Sequence, residues 1–390
     1  MKSAYNETGL YNLAVLKESK RWLKQHFIAQ EQFEKISDSC KSPFYHPNFI
    51  IRVLLFIATL FALSGVTGLY LLFVTSFNEN ELFISIACLI YGLGSFIFLE
   101  KVFIQNNQHY KSGVNEALLY HACGFTIGGM AGIFDLNEHI ILFACLIIFS
   151  FSAIRYLDLV CTISATLSLA GILFYEFQTM GGIFEQVIPF IFILFFTILY
   201  FFIKRLKKSS DLKYRANCLL IVESLSLLFI YAAGNYLVVR ELSINLMKLF
   251  IEEGNDIPFV FIFYALTAII PIGYLFFGIK NKDIVLLRVS LLVIAFSVFT
   301  FKYYYSVGHP EITFTVAGII LLAVSILLLN YLKTVRYGFT RENILTEKWG
   351  SINAEAFIIS QTMGGNQVTV KEQFKGGGGS FGGGGATGSY

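Results

Sequence analysis

The sequence predicts an all-α integral membrane protein: a bundle of about ten transmembrane helices, with eight to ten as the range. Short cytosolic helices are expected at the amino terminus, and a candidate β-hairpin with a Gly-rich tail at the carboxy terminus. Three observations lead there. Of 390 residues, 56% are hydrophobic and only 14% charged, against about 25% charged in soluble domains. Apolar runs recur at close to the roughly 20 residues that a spanning helix needs. Basic residues, finally, collect in alternate loops.

Aromatic residues reach 16%, with 41 Phe and 21 Tyr. Phe suits lipid contact, and Tyr suits the membrane–water boundary, where its ring is half buried and its hydroxyl wet. The net charge of +3 gives no basic domain of the kind that nucleic acid needs, so no nucleic-acid partner is expected. The lipid bilayer is the first partner.

Residues 1–48 read as a cytosolic helical module with no signal-peptide core, so the first span does the targeting. In TGLYNLAVLKESKRWLKQHF, Leu13, Leu16, Leu23 and Phe27 recur near helical spacing, with Lys17, Lys20 and Lys24 on other faces. A break near Ile28 precedes a second short helix, EQFEKISDSC. The pair packs on itself or lies against headgroups.

Residues 49–332 form the bundle. Ten candidate spans fall at 49–74, 82–104, 115–134, 139–154, 156–175, 187–203, 216–239, 257–278, 284–301 and 312–332. The third is Gly-rich and only moderately apolar, the fourth is short, and only Arg155 separates it from the fifth. With the amino terminus inside, the five outside segments hold Arg240, Lys248 and Lys302 among the 29 basic residues, against eleven acidic ones. Positively charged loops stay in the cytoplasm. That division favours ten spans and both termini cytosolic.

Residues 333–375 form a cytosolic segment in which AFIISQTM and QVTVKEQF flank Gly364, Gly365 and Asn366. These suit a hairpin turn, although a helix over 341–363 competes. Residues 376–390 are a Gly-rich tail that reads as a native terminus, because aromatics interrupt the glycines. Phe374, Phe381 and Tyr390 are the candidate partner-binding residues there.

The order ESKRWLKQHFIAQEQFEKI, spacer, then RVLLFIATLFALSGVTGLYLL resembles a family of bacterial polytopic membrane proteins of unassigned activity. Trp22, Phe27-Ile28 and Glu31-Gln32 match its cytosolic start, while His26 stands where that pattern has Gly. The match covers about the first 75 residues. It implies the architecture and a location in the bacterial inner membrane, and brings no activity.

Ionisable groups inside a span are costly and merit a functional reading. Glu223 lies about 10 Å into its span. Pro271 removes a helix hydrogen bond and frees the carbonyl of Thr267. Together Glu223, Thr267 and Pro271 make a candidate intramembrane polar site for a proton or cation, and His121 sits at comparable depth on a span where Gly128, Gly129 and Gly132 permit close approach. The competing reading makes each a structural hydrogen-bonding group; Asn235 reads as a helix–helix hydrogen bond, and Asp158 and Arg288 as interfacial.

No phosphate loop, zinc helix or nucleophile elbow is present. The six Cys and six His show no metal-ligand spacing, and no cofactor is expected. The chain therefore reads as a non-enzymatic scaffold or assembly component that binds a membrane or cytosolic protein through its termini. The alternative is a small-solute or proton-coupled transporter that uses Glu223.

Overall fold

The computed structural model describes residues 2–25, 27–135, 137–208, 214–246 and 256–304, with isolated helical positions between 315 and 330. The tenth expected span lies largely outside them, and the candidate hairpin, Phe374, Phe381 and Tyr390 lie wholly outside.

Two compact units divide the chain. One comprises residues 1–11 and 42–300, the other residues 12–41 and those from 301 onward. In the second unit, α1 (Glu7–Lys24, which begins in the first) leads through a turn into α2 (Gln30–Ser39). The turn falls where the sequence breaks, near Ile28. The Gln32 side chain accepts from the Ala29 amide at 2.8 Å, closing the start of α2.

The described residues of the first unit form helices joined by loops. Its helices are α3 (Phe49–Phe77), α4 (Glu81–Asn106, with a π-helical last part from Leu99), α5 (Val114–Ile133), α6 (Glu138–Tyr156) and α7 (Leu159–Met180). They continue as α8 (Ile183–Leu206), α9 (Ala216–Gly234), α10 (Tyr236–Asn245), α11 (Val260–Asn281) and α12 (Ile284–Tyr304). Among the described residues there is no strand, only a bridge between Tyr45 and His109. Among the described residues, eight helices are long and apolar enough to cross a membrane: α3, α4, α6, α7, α8, α9, α11 and α12.

Helix α5 falls short on composition, because Asn115, Glu116 and His121 dilute its apolar residues. Its packing nevertheless runs it antiparallel to α4. Thr126 meets Gly92, Gly129 meets Leu89 and Gly132 meets Ser85, so each step up one helix is a step down the other. A Cβ on Gly129 would lie 2.6 Å from the Leu89 nitrogen, so only glycine permits this approach. Gly128 faces open space.

The expected continuous span over 216–239 is instead two helices. Asn235 ends α9 with extended backbone, and its side chain caps α10 by accepting from the Val238 amide at 3.2 Å. Apolar residues continue across the break, so hydropathy did not reveal it.

Candidate functional site

Contacts between elements gather one end of each long helix at a common basic end. Arg52 on α3 pairs with Glu116 on α5, and Arg155 on α6 pairs with Glu100 on α4. The thiol of Cys218 on α9 faces the Asp158 carbonyl between α6 and α7. Lys204 on α8 pairs with Asp283, between α11 and α12, at 2.8 Å, and Lys207 pairs with Glu223 at 2.5 Å.

The densest part of this end forms around the loop before α5. Gly113 has φ 94, and a Cβ there would meet the Arg52 carbonyl oxygen at 2.1 Å, so the close crossing of α3 requires glycine. Its amide donates to Glu116 Oε2 at 2.8 Å, leaving Oε1 to the Arg52 guanidinium. Asn115 Oδ1 accepts from both the amide and the hydroxyl of Ser112 at 2.9 Å. The Ser112 hydroxyl has one proton, and it is spent on Asn115. At 2.9 Å from Ser112 Oγ, His109 Nδ1 is therefore the donor. Burial holds the His109 imidazole below its ordinary pKa, which favours its neutral form.

The amino-terminal residues close over this loop. Asn115 Nδ2 donates to the Tyr5 hydroxyl at 3.1 Å. The Ala4 amide donates to the Arg155 carbonyl at 2.9 Å, and Arg155 Nη1 donates to the Lys2 carbonyl at 2.9 Å. Tyr5 is buried and stands edge-on to Tyr110, with ring centroids 4.9 Å apart. Beneath it is a cavity of about 10 Å³, lined in part by Lys111, Asn115, Glu116, Tyr156 and Asp158. That is room for a single water.

Lys111 adopts positive φ (49°) and lies over the Tyr110 ring, 5.5 Å from its centroid. Among the described residues its ammonium has no ion-pair partner within 4 Å, and burial holds its pKa down. Asp158 is engaged elsewhere: it caps α7 through the Cys161 amide at 2.8 Å and accepts from Tyr120 at 3.1 Å.

The intramembrane candidates fall in three separate places. Glu223 is buried and spent on Lys207. His121 Nε2 lies 3.0 Å from Thr67 Oγ1 and 3.2 Å from the Tyr91 hydroxyl, tying α5 to α3 and α4. Thr267 and Pro271 serve the α9–α10 break: Thr267 Oγ1 accepts from the Tyr236 amide at 2.9 Å. Thirteen residues separate Tyr236 from Glu223, about 20 Å of helix rise. Helix α11 also extends to Asn281, beyond the expected end at 278, which carries Thr267 and Pro271 further from the basic end. Asn235 donates to Tyr231 at 2.8 Å and to Thr300 at 3.0 Å, the interhelical bond its sequence position suggested.

Sequence reasoning did not single out Tyr5, Arg52, Glu100, Lys111, Asn115 or Glu116. One signal was available: Arg52 and Glu116 each stand within a turn of the start of a span, on the same expected side. All six cysteines are free. Among the described residues no group of three or more His, Cys, Asp or Glu forms a metal-ligand set. Comparison of the chain with protein-family models, characterised proteins and solved structures gives no match.

Proposed function

We propose that the chain is a non-enzymatic scaffold or assembly component of the bacterial inner membrane, with ten spans, both termini cytosolic, and a membrane or cytosolic protein partner held by its terminal segments. The observation that carries this reading is how the charges at the basic end are used. Arg52–Glu116, Arg155–Glu100, Lys204–Asp283 and Lys207–Glu223 each join different elements of the bundle, so they act as fastenings of a frame. The antiparallel run of α5 beside α4 supports counting it as a span, and the positive-inside distribution supports a cytosolic basic end.

A second reading, small-solute or proton-coupled transport, is favoured by one feature. Helix breaks lined by polar groups are where secondary transporters place substrates and ions, and the break at Asn235 is buried against Thr267 and Thr300. Two variants separate the readings. Under the scaffold reading, deleting residues 364–390 abolishes partner co-purification, and Glu223→Gln leaves it intact. Ion-dependent flux that disappears with Glu223→Gln, with co-purification unaffected by the deletion, reverses the assignment.

A further inference from the structure

We propose that residues 2–6 form a releasable strap that latches the basic end of the bundle, with Tyr5 as its plug over the Lys111 cavity. The strap is fastened at three points, all described above: the Ala4 amide and the Lys2 carbonyl on Arg155, and the Tyr5 hydroxyl on Asn115. Only Tyr5 among its side chains is buried, while Lys2 and Asn6 are exposed. A short extended segment with one buried side chain and few backbone ties opens locally at small cost, without disturbing the helices behind it.

The hinge is marked too. Asn6 Oδ1 accepts from the Thr8 amide at 2.9 Å and so caps α1, which fixes where the extended strap stops and helix begins. The strap supplies oxygen acceptors to two donors of the basic end. When it leaves, Arg155 Nη1 and Asn115 Nδ2 lose the Lys2 and Tyr5 oxygens together, and the cavity that Tyr5 and Lys111 line together opens to solvent. Arg155 keeps Glu100, so the latch plate persists when the strap is off. This arrangement makes strap release a local event that uncovers a cluster of donors at one place.

The test is acylation of the full-length chain in lipid nanodiscs with a water-soluble N-hydroxysuccinimide ester, read residue by residue by peptide mass spectrometry. Lys41, with 78% of its side chain exposed, is the internal reference. The latch predicts that Lys111 reacts at least tenfold more slowly than Lys41 in the native chain. Tyr5→Ala should raise its rate at least tenfold, and Tyr5→Phe, which keeps the ring, by no more than about threefold. Equal rates for Lys111 and Lys41 in the native chain, or no change on Tyr5→Ala, overturn the proposal. If Tyr5→Ala does not fold, hydrogen exchange on the native chain decides. The Ala4 amide must exchange at least a hundredfold faster than the Thr126 and Gly129 amides of α5, and comparable rates contradict the strap.

Discussion

The hydroxyl of Ser297 on α12 donates to the carbonyl oxygen of Thr267 on α11 at 2.8 Å. Pro271, one turn further along α11, has no N–H for that carbonyl. In lipid an unsatisfied carbonyl is costly, and Ser297 supplies the missing donor. The same threonine holds the start of α10 through its hydroxyl, so one residue joins the proline position to the helix break.

Ser297→Ala should destabilise the protein by about 1–3 kcal/mol, the cost of leaving a buried acceptor unpaired. Pro271→Ala restores the amide, so in that background the Ser297→Ala cost should fall well below its value in the native chain. Denaturant unfolding of the four proteins in micelles measures the coupling. Equal costs in the two backgrounds would show that the proline does not create the need for Ser297.

Gly129→Ala places a methyl group against the Leu89 backbone, which cannot move aside as a flexible side chain would. About 1–3 kcal/mol of overpacking cost is expected. Gly124 on the same helix has nothing within 4 Å of a Cβ, so Gly124→Ala should be neutral or slightly stabilising. Thermal melts of the two variants give the comparison, and equal effects would remove the close α4–α5 contact from the account.

Asp283 governs an acid-sensitive fastening. Burial pushes its carboxyl up, but hydrogen bonds from Lys204 and from the Leu286 and Val285 amides outweigh that and hold it below its ordinary value. A depressed carboxylate pKa means that the unfolded chain binds the proton first. Its contribution to stability is therefore complete above the unfolded value of about 3.9, and is lost as pH falls through the folded value. Asp283→Asn should flatten the acid limb of stability against pH, and an unchanged limb would assign it to other groups.

Removing the charge of Lys111 should stabilise the chain. Its ammonium, on a half-buried side chain, has no ion-pair partner within 4 Å among the described residues, and Lys111→Met removes that charge while keeping much of the stem's packing. A rise of about 1 kcal/mol is expected, measured by denaturant unfolding at neutral pH. A loss of similar size would mean that Lys111 has a stabilising contact with Asp158 or Glu116 through the cavity.

These cases show how far the sequence reads. Hydropathy located the membrane-spanning helices because lipid contact demands apolar faces whatever the partners are. It ranked α5 low because Asn115, Glu116 and His121 are spent on neighbours, and partners are a tertiary matter. It ran 216–239 together because one Asn among apolar residues on both sides does not interrupt a hydropathy average, though the helix stops there. Proline chemistry correctly marked the Thr267 carbonyl as available, but the residue that takes it, Ser297, is 30 positions away. Glu223 was visible as a buried acid, whereas its pairing with Lys207 depends on how the end of α8 meets α9. The amino-terminal strap had no pattern at all, because one tyrosine in a short polar stretch carries no periodicity.

The most direct test of the account is a double-mutant cycle on Glu223 and Lys207, with each variant also reconstituted in vesicles for proton flux. If Glu223 is a fastening, Lys207→Met costs about 3 kcal/mol by stranding a buried carboxylate, Lys207→Met with Glu223→Gln recovers much of it, and flux is the same in all four proteins. A coupling near zero, with flux present in the native chain and abolished by Glu223→Gln, would contradict the account and make Glu223 a transport residue.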